Sequence, residues 1–291
     1  MNESLEVIEL NVKEDESGIR IDKYIVERVE DYTRTYIQKL IQEEHIYVND
    51  KKIKSNYKVR EKDRILIHIP HPKLIEIKGE NIPLEILYED DDLLIINKEK
   101  DMVVHPASGH HSGTLVNGLL YYCKGHLSDI NGDLRPGIVH RLDKNTTGAL
   151  IVCKNNDSHL SIAKQLKDHT LLRKYNAIVY YTFKEEDGTI DAPIGRHPIE
   201  RKKMAINYEK GRDAVTHYHV LENFKTNFSH VECRLETGRT HQIRVHMASI
   251  SHPLVGDDIY GPKHQKSHFG LNGQALHASS VGFIHPTSNK Y

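Results

Sequence analysis

Apolar residues in the first 70 positions follow a helical spacing and then an alternating one. The first group of apolar residues spaced as on one face of a helix is Ile21, Tyr24, Ile25 and Val29. The second group follows a helix start signal at Thr33 or Thr35 and consists of Ile37, Leu40 and Ile41. Apolar and polar positions then alternate at 46–48 and 65–69, around turns at 49–50 and 62–63. The pattern predicts two short helices backed by a small sheet, ending at Pro70 and Pro72.

From Pro83 onward, short apolar strands are separated by acidic turns. The strand candidates are 84–87, 93–96, 150–153, 175–181, 217–221 and 231–235. Helical patterns are few, and the clearest runs from Ser158 to Lys167 after cap candidates Asn156 and Asp157. A strand-rich pattern with a few covering helices predicts an α+β domain. We therefore divide the chain into an acidic N-terminal tail (1–16), a small α/β domain (17–70), a linker (71–82) and a larger domain (83–291).

The formal net charge of −1 is unevenly distributed along the chain. Residues 1–16 carry six acids and one lysine, a net charge of −5, which leaves +4 on residues 17–291. The basic clusters are Lys51, Lys52, Lys54, Lys58, Arg60, Lys62 and Arg64; Arg173 and Lys174; and Arg201, Lys202 and Lys203. Any one cluster alone is explained as a solvated surface, but together they keep a nucleic-acid partner open.

Cysteine content and hydropathy exclude other classes. Cys123, Cys153 and Cys233 form no C-x-x-C pair, which gives neither a disulfide framework nor a sulfur-rich metal site. No apolar run approaches the roughly 20 residues that span a bilayer. We expect a soluble cytoplasmic protein without a membrane partner.

Three polar stretches interrupt the larger domain: 135–148, 171–179 and 235–261. We interpret the third as a strand that passes through a glycine turn into a helix carrying Arg239, His241, Gln242, Arg244 and His246. His241 and His246 are five positions apart, about 140° around a helix, so they cannot share a metal from one face. Neither a G-x-S-x-G elbow nor a phosphate-binding loop is present.

A single carboxylate, Asp143, remains as the candidate for chemistry. It is flanked by His140, Arg141 and Lys144 and precedes the apolar run 149–152. A carboxylate beside a guanidinium is held ionised, which suits a nucleophile or a base. Taken alone, Asp143 is better explained as a turn residue or an arginine partner than as a catalytic residue.

The motifs taken jointly favour the catalytic interpretation. HRLDKNTTG, KYNA and ETGRTHQIRVH, in this order within residues 83–287, resemble the RluA family of pseudouridine synthases. The stretch GIRIDKYI, followed by residues 33–67, resembles the S4 RNA-binding domain. Departures are His45 for a usual glycine, Glu99 for a frequent proline, Thr147 for a frequent serine, and an end at Tyr291 where relatives usually continue.

This resemblance implies a mixed, mainly antiparallel central sheet and an enzyme that isomerises uridine to pseudouridine in RNA without cofactor or metal. It makes Asp143 the catalytic aspartate, Arg244 its pairing arginine and Tyr175 the side chain stacked on uracil. Whether the aspartate attacks the sugar or the base, or removes the ribose 2′ proton, stays open.

The resemblance also implies the RNA contacts. On the catalytic domain we expect them at His140, Arg141, Thr146, Arg196, Arg201, Lys202, Lys203 and, as a phosphate clamp, Arg239. On the S4 domain we expect Arg34, Lys39, Lys51, Lys52 and Lys54. The expected partner is 23S ribosomal RNA or a large-subunit precursor rather than transfer RNA, bound by a monomer. The alternatives are a catalytically silent RNA-binding ribosome-assembly factor and a metal-dependent hydrolase, which chelators would inactivate.

Overall fold

The computed structural model describes residues 6–29, 32–70, 77–106, 110–132, 134–200, 203–262 and 270–291. The chain divides into two compact units, 1–75 and 76–291. Arg201, Lys202 and Pro72, which the sequence analysis singled out, lie outside the described residues. No helix in the described ranges is both long and apolar enough to cross a membrane.

The first unit is a four-stranded antiparallel sheet with two helices. Its elements are β1 (Glu6–Asn11), α1 (Ile21–Val26), α2 (Arg34–Gln42), β2 (Ile46–Val48), β3 (Lys51–Lys52) and β4 (Arg64–Ile69), with strand order β1-β4-β2-β3. Thr33 is the cap of α2, since its side chain accepts a hydrogen bond from the Tyr36 N–H. The buried faces of both helices and of β2 and β4 form one core.

The prediction of an acidic tail over residues 1–16 is wrong from Glu6 onward. Strand β1 pairs with β4 from Glu6 opposite Ile69 to Asn11 opposite Arg64. Ile8 and Leu10 pack against the core, whereas the side chain of Glu9 lies on the exposed face. The acidic residues between the apolar ones masked the alternation of an edge strand.

The second unit is built on an eight-stranded sheet. The strands of this unit are β5 (Ile86–Glu89), β6 (Leu93–Lys98), β7 (Thr147–Cys153), β8 (Leu172–Tyr180), β9 (Asp187–Asp191), β10 (Ile194–Arg196), β11 (Met204–Ile206), β12 (Val215–Phe224), β13 (Phe228–Leu235) and β14 (Leu276–Gly282). Its helices are α3 (Leu115–Cys123), α4 (Asn156–Lys167) and α5 (Gln242–Ser249). Strands β10 and β11 form a separate hairpin.

The large sheet is mixed and mainly antiparallel, as expected. Its order is β5-β6-β7-β14-β8-β13-β12-β9, and β7 with β14 is the parallel pair. Strand β7 is buried on both faces: Leu150 and Val152 belong to one core cluster, and Ile151 and Cys153 to another. Two-sided burial explains the unbroken apolar run after Asp143.

Two boundaries differ from the sequence interpretation. Helix α4 begins at Asn156, two residues earlier than expected, because the side chain of Asn155 caps it by accepting from the Ser158 N–H. Part of the predicted linker packs on the second unit: Ile77 contacts its core, and the Asn117 side chain donates to the Lys78 carbonyl. The polar character of residues 78–81 concealed this packing.

Candidate active site

The loop that carries Asp143 is fixed from several sides. The Thr146 N–H donates to the Asp143 carbonyl at 3.0 Å, and the Gln274 side chain donates to the Thr146 hydroxyl at 3.0 Å. Gly148 then enters β7 with φ +111°, and a Cβ there would lie 2.2 Å from the Ala278 carbonyl oxygen. Only glycine allows this close approach of β7 to β14. The loop is therefore held in place before any substrate binds.

Lys98 supports the same loop from inside the protein. Its ammonium group is buried and donates to three carbonyl oxygens, those of Glu99, Met102 and Lys144. Burial lowers the pKa of Lys98 to about 8, an effect that the Asp143 and Asp101 carboxylates oppose. The lysine ties the end of β6 to the residue that follows Asp143.

Asp143 faces an arginine that is itself locked in place. The Arg244 Nη1 donates to the Asp143 Oδ2 at 3.1 Å. On its other side the guanidinium donates two bonds to Asp257, of 2.6 and 2.8 Å, and both Arg244 and Asp257 are buried. Burial alone would lower the pKa of Arg244, but the hydrogen bonds to Asp257 raise it. A bidentate pair of this kind fixes the orientation of the guanidinium toward Asp143.

A chain of hydrogen bonds sets the protonation of His241. The Met204 N–H donates to the Tyr260 hydroxyl oxygen at 2.8 Å, which leaves the hydroxyl proton for His241 Nδ1, 2.9 Å away. Nδ1 is then the acceptor, and the proton of the neutral ring is on Nε2, 3.9 Å from the Asp143 Oδ2. Burial lowers the pKa of His241, which favours this neutral form.

His241 also corrects the predicted helix. Helix α5 begins at Gln242, so Arg239 and His241 precede it rather than lie on it. His241 has φ +56°, an unfavourable conformation for a residue with a Cβ. The Gln242 side chain compensates by accepting from the Thr237 hydroxyl and the Arg239 N–H and by donating to Val215 and Thr216. The turn is thereby fixed with His241 against Asp143.

Tyr175 lines the same cavity as Asp143. The cavity has a volume of about 490 Å³ and is also bordered by Arg141, Arg173, Arg239, His241 and Arg244. Tyr175 lies on β8, and burial raises the pKa of its phenol to about 12; Arg173 opposes this rise and Asp143 adds to it. The ring is therefore a neutral aromatic surface near the carboxylate, suited to stacking on a planar base.

The structure gives two of the predicted RNA contacts on this loop a different role. The His140 Nε2 accepts from the Ile151 N–H at 3.0 Å, and burial lowers its pKa to about 3, so the ring is a neutral brace for the loop. Thr146 is buried, with its hydroxyl engaged by Gln274. Thr146 nevertheless lines the Asp143 cavity, and its contact with RNA stays a prediction. Arg141, by contrast, is exposed at the cavity.

Of the other predicted RNA contacts on this unit, one borders the cavity and two do not. Arg239 borders it and donates from Nε to the Asp213 carbonyl. Arg196 is exposed on β10, and Lys203 forms an ion pair with Glu200 at 2.9 Å. Neither Arg196 nor Lys203 lines the Asp143 cavity.

On the first unit, the predicted basic residues are largely exposed. Arg34 donates to Asp22, whose carboxylate also accepts from Arg20 and Gln38. Lys39 lies 3.8 Å from Glu43, and Lys52 pairs with Glu44. Lys51 and Lys52 form the exposed strand β3. These cations are available at the surface, although three of them have acidic neighbours.

One group of potential metal ligands occurs among the described residues. Oxygen and nitrogen atoms of Asp90, Asp92 and His285 lie within 4.8 Å of one another. His285 hydrogen-bonds to Asp90 at 2.7 Å, and Asp90 also accepts from the N–H groups of Asp92 and Leu93. These bonds account for the cluster, which borders neither Asp143 nor its cavity.

Sequence reasoning missed Lys98, Asp257, Tyr260 and Arg173 as parts of this site. Lys98 carried a usable signal, because it is the one charge at the end of the apolar strand 93–98. Asp257 and Tyr260 lie in HPLVGDDIYG, but nothing in that stretch indicates which acid faces Arg244. Arg173 was noted only as part of a basic pair.

Chemically, the site presents one carboxylate, an arginine fixed behind it and an aromatic ring, in a cavity large enough for a nucleotide base. The carboxylate can act as a nucleophile or as a base, and the guanidinium can stabilise the charge that changes during either step. The surrounding cations favour an anionic substrate.

Comparisons with known proteins agree with this chemistry. Residues 92–249 match the RNA pseudouridylate synthase family, and residues 19–65 match the S4 domain. The chain is 47% identical over 284 residues to the RNA pseudouridine synthase YlyB of Bacillus subtilis (strain 168), covering 98% of this chain and 92% of that protein.

Two further relatives are informative. Identity to the ribosomal large subunit pseudouridine synthase D of Escherichia coli (strain K12) is 40% over 288 residues, covering 95% of this chain and 86% of that protein. Among solved structures, human RNA pseudouridylate synthase domain containing 1 matches with a TM-score of 0.56 and 28% identity, covering 73% of this chain and 80% of that one.

Proposed function

This chain belongs to the RNA pseudouridylate synthase family and carries an S4 domain, and from that premise we propose that it isomerises specific uridines of large-subunit ribosomal RNA. The family and the S4 domain predicted from the motifs are confirmed. The ribosomal substrate is supported by the relatives named large-subunit pseudouridine synthase D, of which one is 40% identical to this chain.

The observation that carries the proposed mechanism is the geometry of Asp143. Its carboxylate borders a cavity of about 490 Å³ and is held at 3.1 Å by Arg244, which Asp257 fixes from behind. A side chain needed only for RNA binding has no use for a buried arginine that orients a carboxylate. The catalytically silent assembly factor is therefore not supported.

The reaction breaks the bond between N1 of uracil and C1′ of ribose and forms a bond from C5 to C1′. C5 loses its proton and N1 gains one, so the change is an isomerisation without net oxidation and the proposed mechanism uses no cofactor. A uridine in structured RNA must first be flipped out, at a cost of a few kcal/mol. Stacking on Tyr175 offsets part of that cost.

In this proposal Asp143 acts as the nucleophile or as the base that removes the ribose 2′ proton. Arg244 orients the carboxylate in both cases. Arg141 and Arg239 contact the RNA at the cavity, and Arg34, Lys39, Lys51 and Lys52 contact it from the S4 domain. We further propose that the protein acts as a cytoplasmic monomer.

The test is pseudouridine mapping of total RNA from cells that lack the gene, complemented with wild type, Asp143→Asn or the exposed control Asp187→Asn. We expect specific large-subunit sites to lose pseudouridine and to regain it with wild type and the control. With Asp143→Asn, turnover should fall at least about a thousandfold. Loss only at transfer-RNA sites, or rescue by Asp143→Asn, would contradict the proposal. Insensitivity of the purified enzyme to chelators is expected, and inactivation by chelators would favour the metal-dependent alternative.

A further inference from the structure

Two buried arginines border the Asp143 cavity, and they differ in the carboxylate partners that balance their charges. Arg244 is 4% exposed and is paired with two carboxylates, Asp257 and Asp143. Arg173, on β8, is 5% exposed; its ionisable neighbours are Tyr175, Arg239 and His140, and it forms no ion pair with a carboxylate of the described residues. A buried guanidinium without an anionic partner is costly unless a ligand supplies the missing charge.

The hydrogen bonding of Arg173 is also incomplete. Its Nη2 donates to the Glu236 carbonyl at 2.8 Å, while its Nε has no partner in the described part of the chain. Guanidinium groups carry five N–H donors, and they match the oxygens of a phosphate or carboxylate in pairs. The fold has therefore buried an N–H donor that the described residues do not satisfy.

The surroundings of Arg173 keep this position open for its guanidinium. A Cβ at Gly238 would lie 2.7 Å from the Arg173 Nη1, so a larger residue there would displace the side chain. Arg239, the next residue, borders the same cavity within Coulombic reach of Arg173, and its bond to the Asp213 carbonyl orients its guanidinium. Two like charges brought this close repel each other unless an anion lies between them.

We propose that Arg173 and Arg239 form a phosphate subsite of the active-site cavity, which binds a phosphodiester next to the uridine under modification. This inference rests on the proposed function, because RNA is the anion that the reaction brings into the cavity. The subsite anchors the flipped nucleotide by its backbone while Tyr175 and Asp143 engage its base and sugar. Contacts of this kind fix position and carry no sequence information.

A purely structural role for Arg173 makes a different prediction. If its purpose is to hold the Glu236 carbonyl, then Arg173→Met destabilises the protein and changes every activity in proportion. If Arg173 is a phosphate ligand, removal of an uncompensated buried charge leaves the free protein as stable as wild type or more stable. Thermal unfolding without RNA separates the two roles.

The first experiment measures binding without turnover, using uridine, uridine 3′-monophosphate, uridine 5′-monophosphate and inorganic phosphate as probes at low salt. Wild type should bind one of the monophosphates about tenfold more tightly than uridine or inorganic phosphate. Arg173→Met should lose this preference, and Arg173→Lys should keep part of it. Arg234→Met is the matched control, since Arg234 is exposed on the opposite face of the neighbouring strand β13. A preference that persists in Arg173→Met, or inorganic phosphate binding as tightly as the nucleotide, overturns the subsite.

The second experiment uses an oligoribonucleotide that spans the uridine identified by mapping, with a neutral methylphosphonate at one linkage at a time. For wild type and Arg234→Met, one neutral linkage next to the target should reduce kcat/KM about tenfold. In Arg173→Met the same linkage should have no further effect, because the charge it would contact is gone. An equal loss in both proteins overturns the proposal. If wild type fails to modify the all-phosphate RNA, the proposed function fails, and the mononucleotide binding still decides the subsite.

Discussion

Each unit of the protein contains a buried aspartate that binds arginine, but the two arrangements present opposite charges to the surroundings. In the first unit, Asp22 is fully buried and holds Arg20 and Arg34, whose side chains are 45% and 52% exposed. In the second unit, Asp257 holds the buried Arg244, which in turn holds the partly exposed Asp143. In the first unit the outermost charged groups are therefore arginines. In the second unit a further residue, Asp143, binds the arginine, so the outermost charged group is a carboxylate.

The difference follows from what each surface must do. Exposed arginines remain hydrated and adjustable, which suits contacts with an RNA backbone. A reacting carboxylate must keep one orientation, so the group that orients it has to be buried and fixed in its turn. Under the proposed function, the same pair of residue types serves RNA binding in one unit and chemistry in the other, depending on whether the arginine is exposed or buried.

Removal of the innermost carboxylate should affect the second unit most strongly. Asp257→Asn leaves Arg244 buried with Asp143 as its remaining acidic partner, and we expect a loss of about 3 kcal/mol in the free energy of unfolding. Turnover should fall more than RNA affinity, since Arg244 loses its fixed direction. Urea unfolding and single-turnover kinetics measure both effects. Asp258→Asn, the exposed neighbour, is the control and should change neither.

Acid should destabilise the second unit before the first. Burial lowers the pKa of His140 to about 3 and that of His105 to about 4, below the 6.5 of an unfolded histidine. The unfolded chain thus binds more protons, so this stability is present above pH 6.5 and is lost as pH falls toward the folded pKa values. For His140 the loss is ~2 kcal/mol by pH 5.

The check is urea unfolding at pH 7 and pH 5 for wild type and His140→Gln, whose amide oxygen can still accept from Ile151 but cannot titrate. The variant should lose less stability than wild type over this interval. An identical pH dependence in both proteins would show that His140 is not the group responsible.

The hydroxyl of Tyr260 should matter for turnover and little for folding. Tyr260→Phe removes the proton donated to His241 Nδ1, while the ring near Arg244 stays. With the tautomer of His241 no longer fixed beside Asp143, we expect kcat to fall about tenfold, the value of one hydrogen bond. Single-turnover rates across pH 6 to 9 measure this effect, and Tyr208→Phe, an exposed tyrosine, is the control. Unchanged kcat with weakened RNA binding would contradict this role.

The smallest effect is expected from the corresponding change in the first unit. Asp22→Asn frees Arg20 and Arg34 to turn into solvent, so we expect a cost of about 1 kcal/mol, below that of Asp257→Asn. Hydrogen bonds from Arg20, Gln38 and Arg34 outweigh burial and lower the pKa of Asp22 to about 2. Its contribution is therefore present above about pH 4 and is lost as pH falls toward 2.

Hydrogen exchange of the amides of α1 and α2 at pH 5 and pH 3 tests this first-unit prediction locally. Wild type should lose protection on acidification, and Asp22→Asn should lose less. A cost as large as that of Asp257→Asn would remove the contrast between the two units.

The sequence alone identified the motifs, the family and the S4 domain, because these depend on residues that are close together in the chain. It also predicted the mixed sheet, through the resemblance, and Asp143, Arg244 and Tyr175 as the central residues. It failed at Glu6–Asn11, where acidic residues concealed an edge strand, and it gave no sign that Thr146 is buried.

What the tertiary structure decided is which charges meet. Asp143 and Arg244 are 101 positions apart, and Arg173 and Glu236 are 63 apart. No local pattern encodes those distances, because they arise when β8, β13 and α5 pack beside the loop before β7. The sequence determined which side chains are available for chemistry. Only the packed sheet determined that Arg244 is neutralised by Asp257 while Arg173 has no acidic partner in the part of the chain that the structure describes, since charge compensation depends on proximity in space.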